Sequence, residues 1–251
     1  MEAIVAALAE QQAELTALLA TLDDAGWQRD TRCEGWDVRD VVLHLAQTNE
    51  LALGSAQGRY PEVLVALTAG IRPATDVDDG AAAMVDRERD LPAAAVRDRW
   101  ETGAKDVSDA LLACDPRTRV VWVAGELSAR TLATTRLAET WIHTGDVADA
   151  LGLALLPTDR LREIARLAWR TLPYAFARAG RELAGPVALH LREPSGDEWS
   201  FVPDTKPLTT IRGDAAELCA VAGRRVAPED TGLTGDGPDA GRVLALIRTY
   251  A

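Results

Sequence analysis

Apolar residues at positions 4, 8, 15, 18, 19 and 22 recur at helical spacing and predict an opening helix over residues 1–22. Gly26 and the polar stretch to Gly35 end it. Asp37 then reads as an N-cap, and V-R-D-V-V-L-H-L-A continues as a helix to about Leu53, with Asp40 supporting its first turn. Residues 54–80 carry Gly, Pro and Asp punctuation and predict loop with a short helix near 61–69. Pro92 opens a helical pattern over about 92–114. The short β-prone run R-V-V-W-V-A reads as an extended linker, and Ser128 caps a helix over about 129–150. A further helix is expected over about 158–178.

The period changes at Gly185–Pro186. V-A-L-H-L-R-E alternates apolar and polar residues, as a half-buried strand does, and E-W-S-F-V and L-T-T-I-R read alike. Asp214 starts a helical stretch to about Ala222, and G-R-V-L-A-L-I-R-T-Y predicts a closing helix. The chain is therefore expected to be mainly α, with a helical domain over 1–182 and a small α+β domain over 183–251.

Charge narrows the class of partner. Lys+Arg 27 against Asp+Glu 39 gives a formal charge of −12. Such a chain is repelled by nucleic-acid backbones and by anionic membrane surfaces, which leaves small molecules as the expected ligands. The oligomeric state, monomer or homodimer, stays open. Three scattered cysteines, Cys33, Cys114 and Cys219, form neither a disulfide framework nor a C-x-x-C pair and suit a reducing, cytoplasmic setting. The N-terminus lacks the basic region of a signal peptide, and no apolar run of about 18 residues predicts a membrane span. Abundant Ala, Arg and Asp with few Lys point to a high-GC genome.

Only three histidines are present, so each is informative. His44 lies mid-helix beside Val41 and Leu45. His143 lies late in another predicted helix, four residues after Glu139. Positions i and i+4 share one helix face, so Glu139 and His143 can bind one metal ion, with His44 as a third ligand from a neighbouring helix. Two imidazoles and a carboxylate suit Zn²⁺ with an open position, and also Fe²⁺ or Ni²⁺. The same spacing also suits a core histidine, or a Glu139 paired with Arg136 or facing water.

The flanking residues carry a resemblance. T-R-C-E-G-W-D-V-R-D-V-V-L-H-L-A at 31–46 resembles one signature of the DinB-like, mycothiol-dependent maleylpyruvate isomerase family, and R-L-A-E-T-W-I-H-T-G-D-V at 136–147 resembles the other. The two stand in the family's order, roughly a hundred residues apart. The resemblance implies a four-helix bundle followed by a sterol-carrier-like α+β domain. It implies a divalent metal, typically zinc, on His44, Glu139 and His143, and it brings in mycothiol as a thiol cosubstrate. It also implies an isomerase or S-transferase acting on a small anionic or electrophilic substrate. In the isomerase form, thiolate adds to an activated double bond, the carbon–carbon bond rotates, and the thiol leaves.

Such a substrate needs a cation to hold its carboxylate. Arg59, Arg72 and Arg224 are candidates, Arg224 because it follows Gly223 where the family often has Gly-Arg. Gln47, one turn beyond His44, is placed to support a ligand, to touch substrate, or to face solvent. Asp146, three residues past His143, is placed to orient an imidazole or to cap locally. Trp36 and Trp141 read as packing residues, His190 as a structural residue on a strand, and Cys33 as either a reactive thiol or a buried small hydrophobe. Two other functions fit the same site. One is a thiol-independent metal lyase, hydrolase or cyclase of secondary metabolism. The other is a non-enzymatic binding module, whose metal would be closed off by a fourth protein ligand.

Overall fold

The computed structural model describes residues 1–249 and is mainly helical. It divides into two compact units, Met1–Leu155 and a second beginning at Leu156.

The first unit is built on four long helices, α1 (Glu2–Leu19), α3 (Val38–Ala56), α6 (Ala93–Ala113) and α7 (Ala129–Leu151), with the short α2 (Asp24–Trp27), α4 (Tyr60–Leu67) and α5 (Val77–Glu88) between them. Helix α3 packs on α6 and α7, and α1 packs on the same two, which closes a four-helix bundle. Its core joins Leu15 and Leu19 of α1 to Val41, Val42 and Leu45 of α3, Val96 and Trp100 of α6, and Val147 of α7.

Helices α3 and α7 are buried on nearly every face. Polar residues on them are therefore interior residues. Many satisfy themselves: Thr48 donates to the His44 carbonyl at 2.9 Å, Thr140 to that of Arg136 at 2.8 Å, and Thr144 to that of Thr140 at 2.6 Å. Each helix starts where the sequence places a cap. Asp37 Oδ1 accepts from the Asp40 N–H at 2.9 Å while the Asp37 N–H donates back to Asp40 Oδ2 at 3.3 Å, a reciprocal capping pair. Ser128 Oγ accepts from the Thr131 N–H at 3.1 Å.

Two local expectations change. The short helix expected near 61–69 is α4, but the loop expected around it over 54–80 is shorter than read, because α3 runs on to Ala56 and α5 starts at Val77. Helix α5 has a polar sequence, and its start is fixed by Asp76 accepting from the Asp79 N–H at 2.9 Å. The R-V-V-W-V-A segment is not a linker. It forms β1 (Arg119–Trp122), which pairs antiparallel with β2 (Gly125–Ser128), and Val120 and Trp122 are buried. Gly125, with φ 110°, makes the turn that other residues would resist.

The second unit contains α8 (Leu161–Arg170), α9 (Leu172–Arg178), β3 (Val187–Arg192), β4 (Glu198–Phe201), β5 (Thr209–Asp214), α10 (Ala215–Ala222), β6 (Thr234–Asp236) and α11 (Ala240–Leu246). The sheet order is β4-β3-β5-β6, with β3 and β5 parallel and the outer pairs antiparallel. The helix expected over 158–178 is broken between Arg170 and Leu172, ahead of Pro173, where a missing N–H and a fixed φ disfavour continuity.

The division between units falls earlier than the 182/183 boundary read from the sequence. Helix α8 packs on α10 and β4, and Trp169 Nε1 donates to the Val187 carbonyl at 2.8 Å. These contacts bind α8 to the sheet. The closing helix ends at Leu246, since Ile247 is extended with ψ 133°, and Tyr250 of that expected helix lies outside the described residues.

Candidate metal centre

Helices α3 and α7 bring His44, Glu139 and His143 together. His44 Nε2 is 3.3 Å from Glu139 Oε2, and His143 Nε2 is 3.8 Å from the same oxygen. The imidazole rings meet edge to face, with centroids 5.2 Å apart. One nitrogen from each ring and a carboxylate oxygen thus lie within 4.8 Å of one another, and no fourth donor joins this set among the described residues. All three side chains are about nine-tenths buried.

Further groups surround the three. His143 Nδ1 is 2.9 Å from Asp146 Oδ2. That contact holds a proton on Nδ1 and leaves Nε2, on the side of Glu139, as the nitrogen able to ligate once its own proton is displaced, the support that a metal-ligating histidine ordinarily receives. Cys33 is half-buried. Its thiol donates to the same Asp146 oxygen at 3.3 Å and stands 3.9 Å from His143 Nδ1. Cys33, His143 and Asp146 form a second cluster of possible donors. Trp36 lays its ring 5.2 Å from the His44 ring, so it packs on a site residue as well as on the core. Behind Glu139, the guanidinium of the fully buried Arg136 lies 4.0 Å from Oε2.

Electrostatics follow from burial and pairing. Burial pulls Glu139 toward the neutral form, but the His44 hydrogen bond and the positive fields of His143, His44 and Arg136 outweigh it and hold the carboxyl at about 2. Burial pushes the His44 imidazole down, more than Glu139 can restore. Burial also disfavours charge on His143, yet the contacts with Asp146 and Cys33 and the charge of Glu139 raise it to about 9. One imidazole is thus held neutral and the other carries a proton that a cation can displace. The donor set fits a divalent metal: two imidazole nitrogens, an ionised carboxylate, and one ring already oriented from behind.

The other named residues divide. Gln47 is buried rather than solvated, and its Nε2 donates to the Met84 carbonyl at 2.9 Å and to Glu88 at 2.8 Å, away from the three donors. Arg72 is occupied by Asp79 through contacts of 2.8 and 2.6 Å, and Arg59 by Gln57. Trp141 is half-buried rather than core. His190 bonds Ser200 and Glu198 across β3 and β4, a structural role. Arg224 lies in the second unit at the end of α10, beside Arg225, Val226 and Arg248 around a surface concavity. It is the one non-glycine residue at positive φ (60°) among the described residues.

Residues 8–148 match the family model described as Mycothiol maleylpyruvate isomerase N-terminal domain. The chain belongs to this family. Two uncharacterized proteins of Mycobacterium tuberculosis, from strains CDC 1551 / Oshkosh and ATCC 25618 / H37Rv, are 34% identical to this family member over 250 residues, 98% of this chain and 95% of theirs. Crystal structures of the mycothiol-dependent maleylpyruvate isomerase and of a histidine-to-alanine mutant of it share the fold. Their TM-scores are 0.62 and 0.63 at 20% and 18% identity, over 95% of each chain. The matched segment lies wholly within the first unit, which is the unit that carries His44, Glu139 and His143.

Two contacts of this neighbourhood were not legible in the sequence. The Arg136–Asn49 contact spans 87 positions and the Cys33–Asp146 contact 113, so no local pattern announces them. Arg136 does open the second signature segment, which was the available signal.

Proposed function

We propose that this protein is a metal-dependent enzyme of the mycothiol-dependent maleylpyruvate isomerase family that uses a small thiol to isomerise, or transfer sulfur to, a small anionic or electrophilic substrate. The observation that carries this reading is the convergence of His44 Nε2 and His143 Nε2 on Glu139 Oε2. Family membership and the isomerase fold of the solved relatives support it. Zinc is the expected ion, with nickel and iron as alternatives.

A divalent ion held there would stabilise the thiolate form of a bound thiol, the nucleophile such chemistry needs. The chain's own residues do the rest. His44, Glu139 and His143 hold the ion, and the absence of a fourth donor in their set, among the described residues, favours an open position over a closed structural site. Asp146 fixes the His143 tautomer. The buried flank limits water around a nucleophile. Arg224, in the second unit, lines a surface concavity of that unit and is a candidate to hold a carboxylate there.

The test has two parts. Purified protein should carry about one zinc per chain, and His44→Ala and His143→Ala should abolish it. Turnover of an enoyl diacid such as maleylpyruvate should require added mycothiol. Protein that gains no metal from excess zinc would overturn the reading, and turnover without thiol would move it to a thiol-independent metal enzyme.

A further inference from the structure

Arg136 stands one turn before Glu139 on α7 and is 0% exposed. Its Nε and Nη2 both donate to Asn49 Oδ1, at 3.3 and 3.2 Å. Its Nη1 has no hydrogen-bond partner and lies 4.0 Å from Glu139 Oε2, the oxygen on which both imidazoles converge. Asn49 is also 0% exposed, and its Nδ2 has no partner either. A guanidinium in a protein interior ordinarily has a carboxylate in direct contact, because an unpaired buried charge is costly. This one has a neutral amide and a share in a carboxylate already claimed by two histidines.

The charges around the centre give that cost a purpose. The carboxylates of Glu139 and Asp146 together balance a divalent cation. Arg32, at the edge, is 2.8 Å from Asp149 and 4.0 Å from Asp146, and Asp149 matches its charge. Arg136 is then the uncompensated charge. In a water-poor interior its field is weakly screened, and it acts on whatever occupies the open side of the ion.

We propose that Arg136, held in place by Asn49, is a positioning residue that keeps the metal centre net positive and so makes it prefer an anionic incoming ligand, a thiolate or carboxylate, over a neutral one. This rests on the metal-binding reading above. Asn49 suits the task because an amide oxygen fixes the guanidinium without cancelling its charge.

The experiment uses the full-length protein loaded with Co²⁺ and follows visible absorption during titration with azide, an anion, and with imidazole, a neutral ligand. Arg136→Met should weaken azide binding about tenfold or more and leave imidazole nearly unchanged. Arg136→Lys, which retains the charge, should restore most of the azide affinity. Asn49→Asp, which sets a carboxylate against the guanidinium, should weaken azide in the same direction as Arg136→Met, and it carries the test if Arg136→Met does not fold. Azide and imidazole affinities that fall together, or a lysine variant no better than methionine, would overturn the proposal. A wild-type protein that takes up no Co²⁺ would instead defeat the metal reading, an outcome visible before any ligand is added.

Discussion

Asp146 Oδ2 lies 2.9 Å from His143 Nδ1, and it also accepts the Cys33 thiol at 3.3 Å. One buried carboxylate oxygen thus orients a candidate metal ligand and tethers the loop that leads into α3. Removing it should loosen the imidazole without removing a ligand. Asp146→Ala should lower zinc affinity about 10- to 100-fold, measured by competition with a chromophoric chelator, and Asp146→Asn should fall between. An alanine variant that binds zinc as tightly as wild type would show that the Asp146 contact does not support the ligand.

The protonation states predict a distinctive pH response of the metal-free protein. His143 in the fold has a pKa of about 9, above its ordinary 6.5, so its contribution to stability is complete below pH 6.5 and is lost as pH rises through 9. Glu139 is held at about 2, below its ordinary 4.5, so its contribution is complete above pH 4.5 and is lost as pH falls toward 2. The melting temperature of zinc-free protein should therefore decline between pH 6.5 and 9.5, and His143→Gln should flatten that limb. Zinc binding at pH 7.5 should release about one proton, the one on His143, readable by calorimetry in buffers of different ionisation enthalpy. Binding with no proton release would show that His143 is already neutral in the metal-free protein.

The capping pair that starts α3 gives a test that separates folding from the site. Asp37→Ala removes the acceptor of the Asp40 N–H and should cost about 1 kcal/mol of stability by denaturant titration. Metal affinity should change little, because His44 lies two turns further along. A large loss of metal with a small loss of stability would mean that the helix start positions His44 directly.

Much of this was legible in the residues, and what was not has a physical pattern. The start of α3 at Asp37, the start of α7 after Ser128 and the strand at β3 are local signals of capping and period, and the structure has all three, although β3 alternates only from Leu189 onward because Ala188 is buried as well. Helix α5 was not legible because V-D-D-G-A-A-A-M-V offers few apolar residues and a glycine, and its helix rests on the Asp76 cap and on Met84 and Val85. The unit boundary was not legible because a helical period does not say what a helix packs against, and α8 packs on α10 and β4. At the site, the i, i+4 spacing gives Glu139 and His143 one face. That His44 meets them, that Arg136 reaches Asn49 and that Cys33 reaches Asp146 are consequences of tertiary packing.

Arg224 offers the sharpest conflict between stability and function. Its φ of 60° is a left-handed conformation that disfavours a side chain by roughly 1–2 kcal/mol, while glycine adopts it freely but loses about 0.5–1 kcal/mol through its greater unfolded-state entropy. Arg224→Gly should therefore leave stability unchanged or raise it by up to about 1.5 kcal/mol, whereas Arg224→Ala should not gain. If the guanidinium holds a carboxylate in the concavity it lines, the same glycine variant should weaken carboxylate binding about tenfold or more, and Arg224→Lys should recover only part of it. A glycine variant that is more stable and binds carboxylates as wild type does would show the strain to be incidental and would remove Arg224 as a candidate. One that is more stable and impaired would show that the chain retains a strained residue for what its side chain binds.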